Sequence, residues 1–407
     1  MRILIVSQYF APEMTAASAR LLPFAEGLAA RGHAVDVLAA LPNHPQGRVY
    51  PGFRGKVLAR RRGPGFRTTY VWVHATPAKG LRSRLLNYAS FSASAAIAGG
   101  LRRDYDVVLA SSPPLSVGVV GLLLARLQRV PLVFDVRDLW PEIAVVLGEI
   151  SNPRAISLIE ALERRLYRSA AAVTTPTQPF ADHIDRVAGV KRATVIPNGT
   201  TQRWIAAGES SSQRDALGLP EDCFLWTYAG NVGLSQDLET AVRAAARLGE
   251  GFRLLILGSG ASQPALAELA ERIAPGRVIF RAAVPEAEAM KVTRASDVLL
   301  VPLADVPEVA KSIPIKLYDF SAVGRPVVVA AAGEPARIAA EHQSALVVRP
   351  GDESALADAV RTLRDDPDDA TALAERSRRF AVEHLRSAQI ERLEGVLEAA
   401  TSSGGSR

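Results

Sequence analysis

The fold class is decided by the stretch Ile313-Pro-Ile-Lys-Leu-Tyr-Asp-Phe320 and by the run Gly324-Arg-Pro-Val-Val-Val329 that follows it. The stretch predicts a short helix over Ile315–Ala322, because Pro314 suits the first turn of a helix, where its missing N–H costs little. The run predicts a buried strand over Pro326–Ala330, because it is short, apolar and rich in β-branched residues. A helix that leads into a buried strand is the repeating unit of α/β proteins.

The same alternation extends in both directions along the 407-residue chain. In the first half, apolar runs predict strands near Arg2–Ser7, Ala34–Ala39, Thr69–His74, Asp106–Ala110, Pro131–Asp135, Ala171–Thr174 and Ala193–Ile196. In the second half, they predict strands near Phe224–Tyr228, Phe252–Leu257, Arg277–Phe280, Val298–Val301, Pro326–Ala330 and Ala345–Val348. Helical patterns lie between the strands. We therefore expect two doubly wound α/β domains, each with a parallel sheet covered on both faces.

A polar stretch that is rich in serine and glutamine interrupts the alternation between the two halves. It gives the predicted boundaries: a first domain over residues 1–198, a linker over 199–222 and a second domain over 223–382. A helix over 383–400 follows, and the small, polar residues 401–407 are expected to be disordered. Two domains of about 200 residues each are typical of a chain of this length.

The composition excludes several classes of protein. Cys223 is the only cysteine, which rules out a disulfide framework and a cysteine-built zinc site. A buried-strand run already begins at Ile3, so we expect no signal peptide, and no run of about 18 uncharged apolar residues predicts a membrane span. We therefore expect a cytoplasmic protein or one on the inner face of a membrane. The glycine fingerprint of nicotinamide dehydrogenases is absent after the first strand.

Much of the positive charge lies in one region. Residues 48–84 contain ten lysines and arginines and no acidic residue. Two interpretations stay open: a solvated loop, or a surface for anionic lipid or a phosphate-bearing acceptor, with Tyr50, Phe53 and Phe66 as interfacial anchors. No recognition motif accompanies the charge, so we expect no nucleic-acid partner. The apolar residues within 81–101 predict a core helix, with a lipid-facing helix as the alternative.

Several polar or glycine-rich segments lie where predicted strands end, which is where ligands bind to such sheets. The segment 135–142 follows a buried strand, and its charged side chains either line a cleft or pair with one another. In the second half, the glycines of 228–233 and 257–260 precede helices, whose N-termini bind phosphate. The Asn-Gly pair of 196–199 is typical of a turn.

Lys316 and Asp319 lie three residues apart and therefore share one face of the predicted helix. Lysine is a point charge suited to phosphate, and a carboxylate accepts two hydroxyl hydrogen bonds, such as those of a ribose diol. The alternative is a surface ion pair between the two side chains. The residues by themselves leave both interpretations open.

Taken together, these segments resemble the retaining GT-B glycosyltransferases of family 4, in particular the branch of colanic-acid and O-antigen transferases similar to L-fucosamine transferase. The resemblance extends over nearly the whole chain. It is carried by SQYFAPE, LPNHPQG, DLWPE, IPNG, YAGNVG, ILGSG and IPIKLYDF with GRPVVV. It implies two Rossmann-like domains that face a cleft, the first binding the acceptor and the second binding the nucleotide-sugar donor. It also implies that the helix over 383–400 packs back on the first domain.

The resemblance implies roles for matching positions of the second domain. Asp319 matches the acid that binds the donor ribose, and residues 313–315 match the backbone that meets the sugar and the diphosphate. Gly230 matches the glycine that lets the diphosphate approach, and Ala283 and Val284 lie where the base is held. The candidate donor-binding residues are Gly230, Asn231, Gly233, Gly258, Ala283, Val284, Lys311, Ile313, Pro314, Ile315, Lys316 and Asp319.

The chain departs from the family pattern in the charges that surround the donor. Lys311 stands where the pattern has its first acid, and Asn231 and Gln236 stand where it has an arginine and a lysine. An unpaired diphosphate is costly to bury. We therefore expect Lys311 and Lys316 to supply the compensating charge.

Departures also occur on the acceptor side. Thr15-Ala-Ala17 replaces a glycine pair of the family, and its cleft histidine is missing, with Arg137 or Asp138 standing nearby. The candidate acceptor-side residues are Glu13, Thr15, Arg20, His44 and Arg137. Asp138 and Lys316 are the candidate catalytic residues.

The implied reaction is the transfer of a hexosyl or N-acetylhexosaminyl unit with retention at the anomeric carbon, in polysaccharide biosynthesis. The acceptor is a glycan, a lipid-linked molecule or a small molecule. We expect neither a cofactor nor a metal, because lysine and backbone amides at the leaving diphosphate provide the electrostatic stabilisation. Two alternatives stay open: a nucleotide-sugar epimerase on the same fold, and a catalytically inactive partner protein.

Overall fold

The computed structural model describes residues 1–78, 80–101, 104–142, 145, 150–209 and 214–404. The chain forms two compact units. The first unit combines Met1–Pro197 with the C-terminal segment from Ser387, and the second unit is Asn198–Arg386. Each unit is an α/β structure built on its own sheet, which confirms the predicted fold class.

The first unit contains an eight-stranded sheet. In chain order, its strands are β1 (Arg2–Val6), β2 (Ala34–Ala40), β3 (Leu58–Arg62), β4 (Phe66–Val71), β5 (Val107–Ser112), β6 (Leu132–Val136), β7 (Ala172–Thr175) and β8 (Ala193–Val195). The order within the sheet is β3-β4-β2-β1-β5-β6-β7-β8, and every neighbouring pair is parallel except β3 with β4. Parallel pairing places the carboxyl ends of seven strands at one edge.

The helices of the first unit up to the end of β8 are α1 (Ala16–Ala30), α2 (Leu81–Gly100), α3 (Ser116–Gln128), α4 (Pro153–Ser169) and α5 (Gln178–Ala188). A short 3₁₀ helix covers Pro51–Phe53. The helices link parallel strands, which require crossover connections of about a dozen residues or more. Strands β5 and β6 are buried along their whole length and β1 is buried from Ile3 onwards, as the continuous apolar runs predict.

The second unit contains a six-stranded sheet in the order β11-β10-β9-β12-β13-β14, all parallel. Its strands are β9 (Phe224–Ala229), β10 (Phe252–Leu257), β11 (Val278–Arg281), β12 (Val298–Pro302), β13 (Val327–Ala330) and β14 (Leu346–Val348). Its helices are α6 (Gln202–Glu209), α7 (Leu238–Arg247), α8 (Gln263–Ile273), α9 (Glu286–Ala295), α10 (Pro307–Ala310), α11 (Ile315–Ala322), α12 (Glu334–Glu341), α13 (Glu353–Asp365) and α14 (Pro367–Glu383).

The last helix, α15 (Arg386–Gly404), completes the core of the first unit. Ile390, Leu393 and Leu397 of this helix belong to the same buried cluster as β1 and α1. At Gly27 of α1, an added Cβ would lie 2.3 Å from the Cδ1 atom of Ile390. The isoleucine therefore packs directly against the backbone of α1 in the notch at Gly27.

Three parts of the chain differ from the sequence-based expectation. The polar stretch 199–222 belongs to the second unit and contains α6, whose Trp204 and Ile205 are buried, so it is not an unstructured linker. The helix α15 continues to residue 404, through much of the tail that was predicted to be disordered. The edge strand β3 was not predicted, because three of its five residues are exposed arginines.

The aromatic side chains of the basic region 48–84 also differ from their prediction as interfacial anchors. Phe53 and Phe66 are buried in the core of the first unit, and Tyr50 is half-buried, with its hydroxyl donating to the carbonyl of His44 at 2.8 Å. The guanidinium of Arg61 lies 4.2 Å from the ring centre of Phe53. The rings of Phe53 and Phe66 therefore belong to the core rather than facing a membrane, and an interfacial role of Tyr50 stays a prediction. One of the predicted basic residues, Lys79, lies outside the described residues.

We predict that Ile390→Ala destabilises the first unit by about 2–5 kcal/mol, because it leaves a cavity against α1. The exposed neighbour Glu391→Ala is the matched control and should change stability by less than about 0.5 kcal/mol. The measurement is the urea-unfolding transition of each variant. Equal effects of the two substitutions would show that α15 does not contribute to this core.

Candidate functional site

The candidate donor-binding residues of the second unit lie at the carboxyl edge of its sheet. Strands β10, β9 and β12 are neighbours, and all three are parallel. Gly230 and Gly233 follow β9, Gly258 follows β10, and the segment 311–319 follows β12 after the short helix α10. Parallel pairing therefore gathers, at one edge, residues that are up to 89 positions apart, where ligands of such sheets bind.

The glycines of this edge are required by the packing of two loops against each other. Gly230 N–H donates to the carbonyl of Leu257 at 2.9 Å. A Cβ atom on Gly258 would lie 1.8 Å from the carbonyl oxygen of Gly230, and one on Gly260 would lie 2.0 Å from that of Val232. Gly230 has φ +145°, and its Cβ would meet the ammonium of Lys316 at 2.7 Å. The absence of side chains at these glycines thus lets the loop backbone and the ammonium of Lys316 lie close together.

The two neutral residues at the expected cation positions interact with one another. The side chain of Gln236 accepts from the Asn231 amide at 3.4 Å and from the Gly233 N–H at 3.1 Å. Gln236 ends a 3₁₀ turn over Leu234–Gln236. These residues order the loop after β9 but bring no positive charge to it.

Lys316 provides a positive charge beside this loop. Its Nζ donates to the hydroxyl of Tyr228 at 2.7 Å and lies 3.9 Å from the centre of the Tyr228 ring. Burial lowers the pKa of Lys316 from its ordinary 10.5 to about 7, because desolvation disfavours the ammonium. Among the described residues, no carboxylate forms an ion pair with Lys316. An anionic ligand would raise this pKa again and gain a charged partner.

Asp319 makes a different contact from the ion pair that its spacing allowed. Its Oδ1 accepts from the hydroxyl of Thr200 at 2.9 Å. Burial raises the pKa of Asp319 to about 7, while the charge of Arg386 and the Thr200 hydrogen bond oppose that rise. The two side chains that share one helix face therefore have separate partners, Tyr228 for the lysine and Thr200 for the aspartate.

The start of α11 presents backbone to the same edge. Pro314 is the N-cap residue and has an extended backbone, and Ile315 is the first residue of the helix. The carbonyl of Ile313 accepts from the side chain of Asn198 at 3.2 Å. Lys311 is the C-cap residue of α10, two positions before Ile313. The unpaired N–H groups of a helix start favour an anion.

The two residues predicted to hold a base follow β11. Ala283 is exposed, and its N–H donates to the Ser259 hydroxyl at 3.5 Å. Val284 is half-buried and packs against the small cluster that contains Leu225 and Leu255. Such an arrangement is suited to a flat ring such as a nucleotide base. The exposed backbone can hydrogen-bond to the edge of the ring, and the apolar side chain can pack against its face.

In the first unit, the candidate acceptor-side residues lie at the carboxyl edge of its own sheet. Glu13, in the loop after β1, is 3% exposed and accepts from the N–H groups of Asn43 and His44 at 2.6 and 2.8 Å. Burial raises the pKa of Glu13 to about 7, although these backbone hydrogen bonds oppose the rise. The ring of His44 lies edge-on to Tyr9 at 5.5 Å. Glu13 thus fixes the loop that carries His44.

Two of the predicted acceptor-side residues have hydrogen-bond partners within the first unit. Arg20 is buried and donates to Asp135 at 3.1 Å, and Asp135 also accepts from Ser111 at 2.7 Å and from Thr174 at 2.9 Å. Removing Arg20 would leave the buried charge of Asp135 without its cation, which is strongly destabilising. A contact between Arg20 and the acceptor stays a prediction. Thr15 is the N-cap of α1.

Arg137 and Asp138 follow β6 at the same edge. Arg137 donates to the Ser111 hydroxyl at 3.0 Å and to the carbonyl of Pro113 at 3.3 Å. Burial lowers the pKa of Arg137, and the charges of Asp138 and Asp135 oppose that effect. The residue Asp138 is exposed, yet desolvation of its carboxyl group raises the pKa above its usual range, and the charge of Arg137 opposes that rise. The sequence left two alternatives for the charged side chains of this segment, internal pairing and lining a cleft. Asp135 pairs internally, whereas Asp138 lies at the surface.

Sequence reasoning missed Tyr228 as a site residue. Its hydroxyl accepts from Lys316 and donates to the carbonyl of Asn231, so it links the helix α11 to the loop after β9. The only signal for this role is the position of an aromatic residue at the carboxyl end of a strand, two residues before Gly230.

Two family descriptions match the chain. The glycosyl transferase 4-like domain matches residues 15–199, and glycosyl transferases group 1 matches residues 225–366. The first match lies in the first unit except for residues 198 and 199, and the second match lies wholly in the second unit. The protein belongs to family 4 of the GT-B glycosyltransferases and is a glycosyltransferase enzyme.

Among curated relatives, the chain is similar to the putative colanic acid biosynthesis glycosyl transferase WcaI of Escherichia coli K12. The two are 25% identical over 67% of this chain and 69% of the relative. It is also similar to D-inositol 3-phosphate glycosyltransferase 1 of Catenulispora acidiphila, with 29% identity over 76% of each chain.

Solved structures share the fold. Sucrose-phosphate synthase from Thermosynechococcus elongatus aligns with a TM-score of 0.79 at 20% identity, over 99% of each chain. HepE of Anabaena, solved in complex with UDP-glucose, aligns with a TM-score of 0.69 at 16% identity, over 99% of this chain and 100% of that one. At these identities, the likeness supports the fold alone.

Two features are absent from the described residues. Within the described part of the chain, no helix has the length and apolar character needed to cross a membrane. Across the same residues, no three histidine, cysteine, aspartate or glutamate side chains are grouped so that they could hold a metal ion.

We predict that Lys316→Met raises the unfolding midpoint by roughly 2–4 °C at pH 7. The folded-state pKa of about 7 lies below the ordinary 10.5, so the unfolded chain binds more protons between these values and the stability of the unchanged protein rises with pH there. The advantage of the variant should therefore shrink as the pH approaches about 10.5. The exposed Lys291→Met is the matched control. A pH-independent difference would contradict the assigned desolvation of Lys316.

Proposed function

We propose that this glycosyltransferase moves a sugar from a nucleoside-diphosphate donor to a glycan, lipid-linked or small-molecule acceptor, with retention at the anomeric carbon and without a metal. The observation that carries the proposal is the desolvated ammonium of Lys316, which lies beside Gly230 at the carboxyl edge of the second unit. A charge that burial disfavours is a candidate for a functional role. The complex of HepE with UDP-glucose supports the choice of donor class.

The second unit would contact the donor at its ribose and at its diphosphate. The carboxylate of Asp319 accepts hydrogen bonds from the ribose hydroxyls, and Lys316 and the start of α11 meet the diphosphate. As the bond to the sugar breaks, negative charge grows on the leaving phosphate, and a preorganised cation aimed there stabilises the transition state. Lys311 is the second proposed cation. This arrangement would replace the arginine and lysine that Asn231 and Gln236 do not supply.

The first unit would orient the acceptor. Glu13 holds the loop of His44, and the exposed Asp138 beside Arg137 is the proposed acceptor-orienting or catalytic carboxylate. An acceptor hydroxyl is an uncharged nucleophile, so a carboxylate within hydrogen-bond reach increases its reactivity.

The direct experiment incubates the protein with a panel of nucleotide sugars and acceptors, once with EDTA and once with a divalent metal ion in its place. Transfer to an acceptor, with the anomeric configuration of the donor preserved in the product by NMR, is the expected result. Isomerisation of the donor without any acceptor would favour an epimerase. Nucleotide binding with no turnover across the panel would favour an inactive partner. Activity that EDTA abolishes would contradict the metal-independent mechanism.

We predict that Lys316→Ala weakens UDP binding by roughly 10–100-fold, because one charge-assisted contact to the diphosphate is lost. Binding of uridine, which lacks phosphate, should change by less than about twofold. Isothermal titration calorimetry of both ligands measures the difference, with Lys291→Ala as the control. An unchanged UDP affinity would refute the role of Lys316 in holding the diphosphate.

We further propose that the first unit meets an anionic membrane surface at its carboxyl edge. Strand β4 ends there, Trp72 follows it with 44% of its surface exposed, and the paired β3 places Val57 and Leu58 beside that end. Leu85 and Leu86, near the start of α2, are 52% and 57% exposed. The helix α2 buries Phe91, Ala95 and Gly99, so it is both a core helix and a source of exposed apolar side chains.

The charges around these apolar side chains fit a lipid surface. The described lysines and arginines of 48–84 are exposed except for the half-buried Arg84. Basic residues near an anionic bilayer each contribute about 1 kcal/mol of attraction. Apolar side chains that are flanked by such charges are typical of proteins that lie on a membrane. This surface would bring a lipid-linked acceptor close to Asp138.

We predict that the double substitution Arg60→Glu and Arg62→Glu weakens binding to vesicles of anionic lipid by roughly tenfold or more. The exposed Arg272→Glu, a charge reversal in the second unit, should leave binding unchanged. Cosedimentation at low and high salt measures the effect, since screening weakens it. No binding at low salt by the unchanged protein would refute the membrane proposal and leave the transfer reaction intact.

A further inference from the structure

The chain passes from one unit to the other at two places, Pro197–Asn198 and Arg386–Ser387. On the side of the second unit, the two crossing segments, 198–200 and 384–386, are hydrogen-bonded to each other. Thr200 N–H donates to the carbonyl of His384 at 3.1 Å, and Arg386 N–H donates to the carbonyl of Thr200 at 2.8 Å. The guanidinium of Arg386 also donates to the carbonyl of Gly199.

Gly199 allows the two crossing segments to lie in close contact. A Cβ atom on Gly199 would lie 2.3 Å from the carbonyl oxygen of His384, a distance that no side chain tolerates. The Asn-Gly pair, which the sequence indicated only as a turn, is therefore needed for the contact between the crossing segments. The neighbouring Thr200 and Arg386 are buried, so this contact is shielded from solvent.

The same segments contact the residues proposed to hold the donor. The Thr200 hydroxyl donates to Oδ1 of Asp319 at 2.9 Å, and the Asn198 side chain donates to the carbonyl of Ile313 at 3.2 Å. Two polar residues of one crossing segment, on either side of Gly199, thus hydrogen-bond to both ends of the segment 313–319. These sequence separations exceed 110 residues, so the contacts are not a by-product of local structure.

Charged groups around Asp319 come from several elements. Arg386 belongs to the crossing segment, and its charge favours the ionised carboxylate. Glu286, at the start of α9, opposes that effect and accepts from the indole N–H of Trp204 in α6 at 3.1 Å. The hydrogen bond from Thr200 favours ionisation, as a donor to a carboxylate does. The state and the orientation of Asp319 therefore depend on the crossing segments.

We propose that Thr200 and Asn198 are positioning residues that couple donor binding to the order of the two crossing segments. This inference rests on the proposed function, in which Asp319 binds the donor ribose. The Thr200 hydroxyl donates to Oδ1 of Asp319 and thereby fixes the plane of the carboxyl group. The ribose hydroxyls of the donor then hydrogen-bond to a carboxylate whose orientation is fixed. By linkage, a nucleotide that requires this orientation stabilises the paired segments, and ordered segments favour the nucleotide.

The test compares Thr200→Val, which keeps the shape but removes the hydroxyl, with Thr200→Ser, which keeps the hydroxyl. We expect Thr200→Val to weaken UDP binding about tenfold, because a hydrogen bond to a charged group is lost. Binding of 2′,3′-dideoxy-UDP should change by less than about twofold, because it lacks the hydroxyls that Asp319 accepts from. Thr200→Ser should restore the affinity for UDP. Equal losses for both nucleotides would show a merely structural role and overturn the proposal.

Hydrogen exchange provides the second readout. In the unchanged protein, UDP should slow amide exchange in residues 198–201 and 384–386, and Thr200→Val should reduce this protection at saturating UDP. If Thr200→Val does not fold, Asn198→Ala gives the same exchange test through the bond to Ile313. Absence of UDP-induced protection in the unchanged protein would overturn the inference alone. A protein that binds none of UDP, GDP and ADP would overturn the proposed function and this inference with it.

Discussion

Parallel strand pairing is the constraint on which both units depend. In each sheet, backbone hydrogen bonds align the strands so that their carboxyl ends meet at one edge, and only the loops beyond that edge are free to vary in chemistry. Gly230, Gly258 and Lys316 belong to three separate crossovers, yet the order β10-β9-β12 brings them together. The buried strands contribute little chemistry themselves. Tyr228 is an exception, because its hydroxyl emerges where β9 ends.

Both units also contain charged side chains that burial removes from water. Burial moves the pKa of Lys316, Asp319 and Glu13 to about 7, downwards for the lysine and upwards for the carboxyls. Each shift means that the fold holds a group in surroundings that disfavour its charge, at a cost in stability. Groups of this kind cluster at functional sites, because a ligand that supplies the missing partner gains the interaction that water no longer provides. The surrounding core, including β9 and β12, offsets the cost.

The sequence predicted the elements whose signal is local and missed those whose role depends on distant partners. Continuous apolar runs predicted the central strands, because burial on both faces leaves that pattern. The edge strand β3 has no such pattern, since its arginines face solvent, and Trp204 was hidden in a stretch of polar composition. The rings of Phe53 and Phe66 lie within a basic sequence but point into the core.

The partners of the candidate site residues also lie far away along the sequence. The spacing of Lys316 and Asp319 placed both on one helix face, and family resemblance suggested a donor role. Their actual partners are Tyr228, 88 residues away, and Thr200, 119 residues away. No local pattern encodes such a choice, which only the folded sheet determines. The ion pair of Arg20 was missed for the same reason, since its partner Asp135 is 115 residues distant.

The position of α15 has a consequence for how the protein is made. The core of the first unit needs Ile390, Leu393 and Leu397, which are synthesised only after the whole of the second unit. At ribosomal rates of about 5–20 residues per second, the first unit waits roughly 10–40 s for its last helix. During that interval the notch at Gly27 lies open, and the apolar surface of α1 and β1 around it is uncovered. The early half of the nascent chain therefore depends on its own C-terminus, or on a chaperone, to avoid aggregation while the second unit emerges.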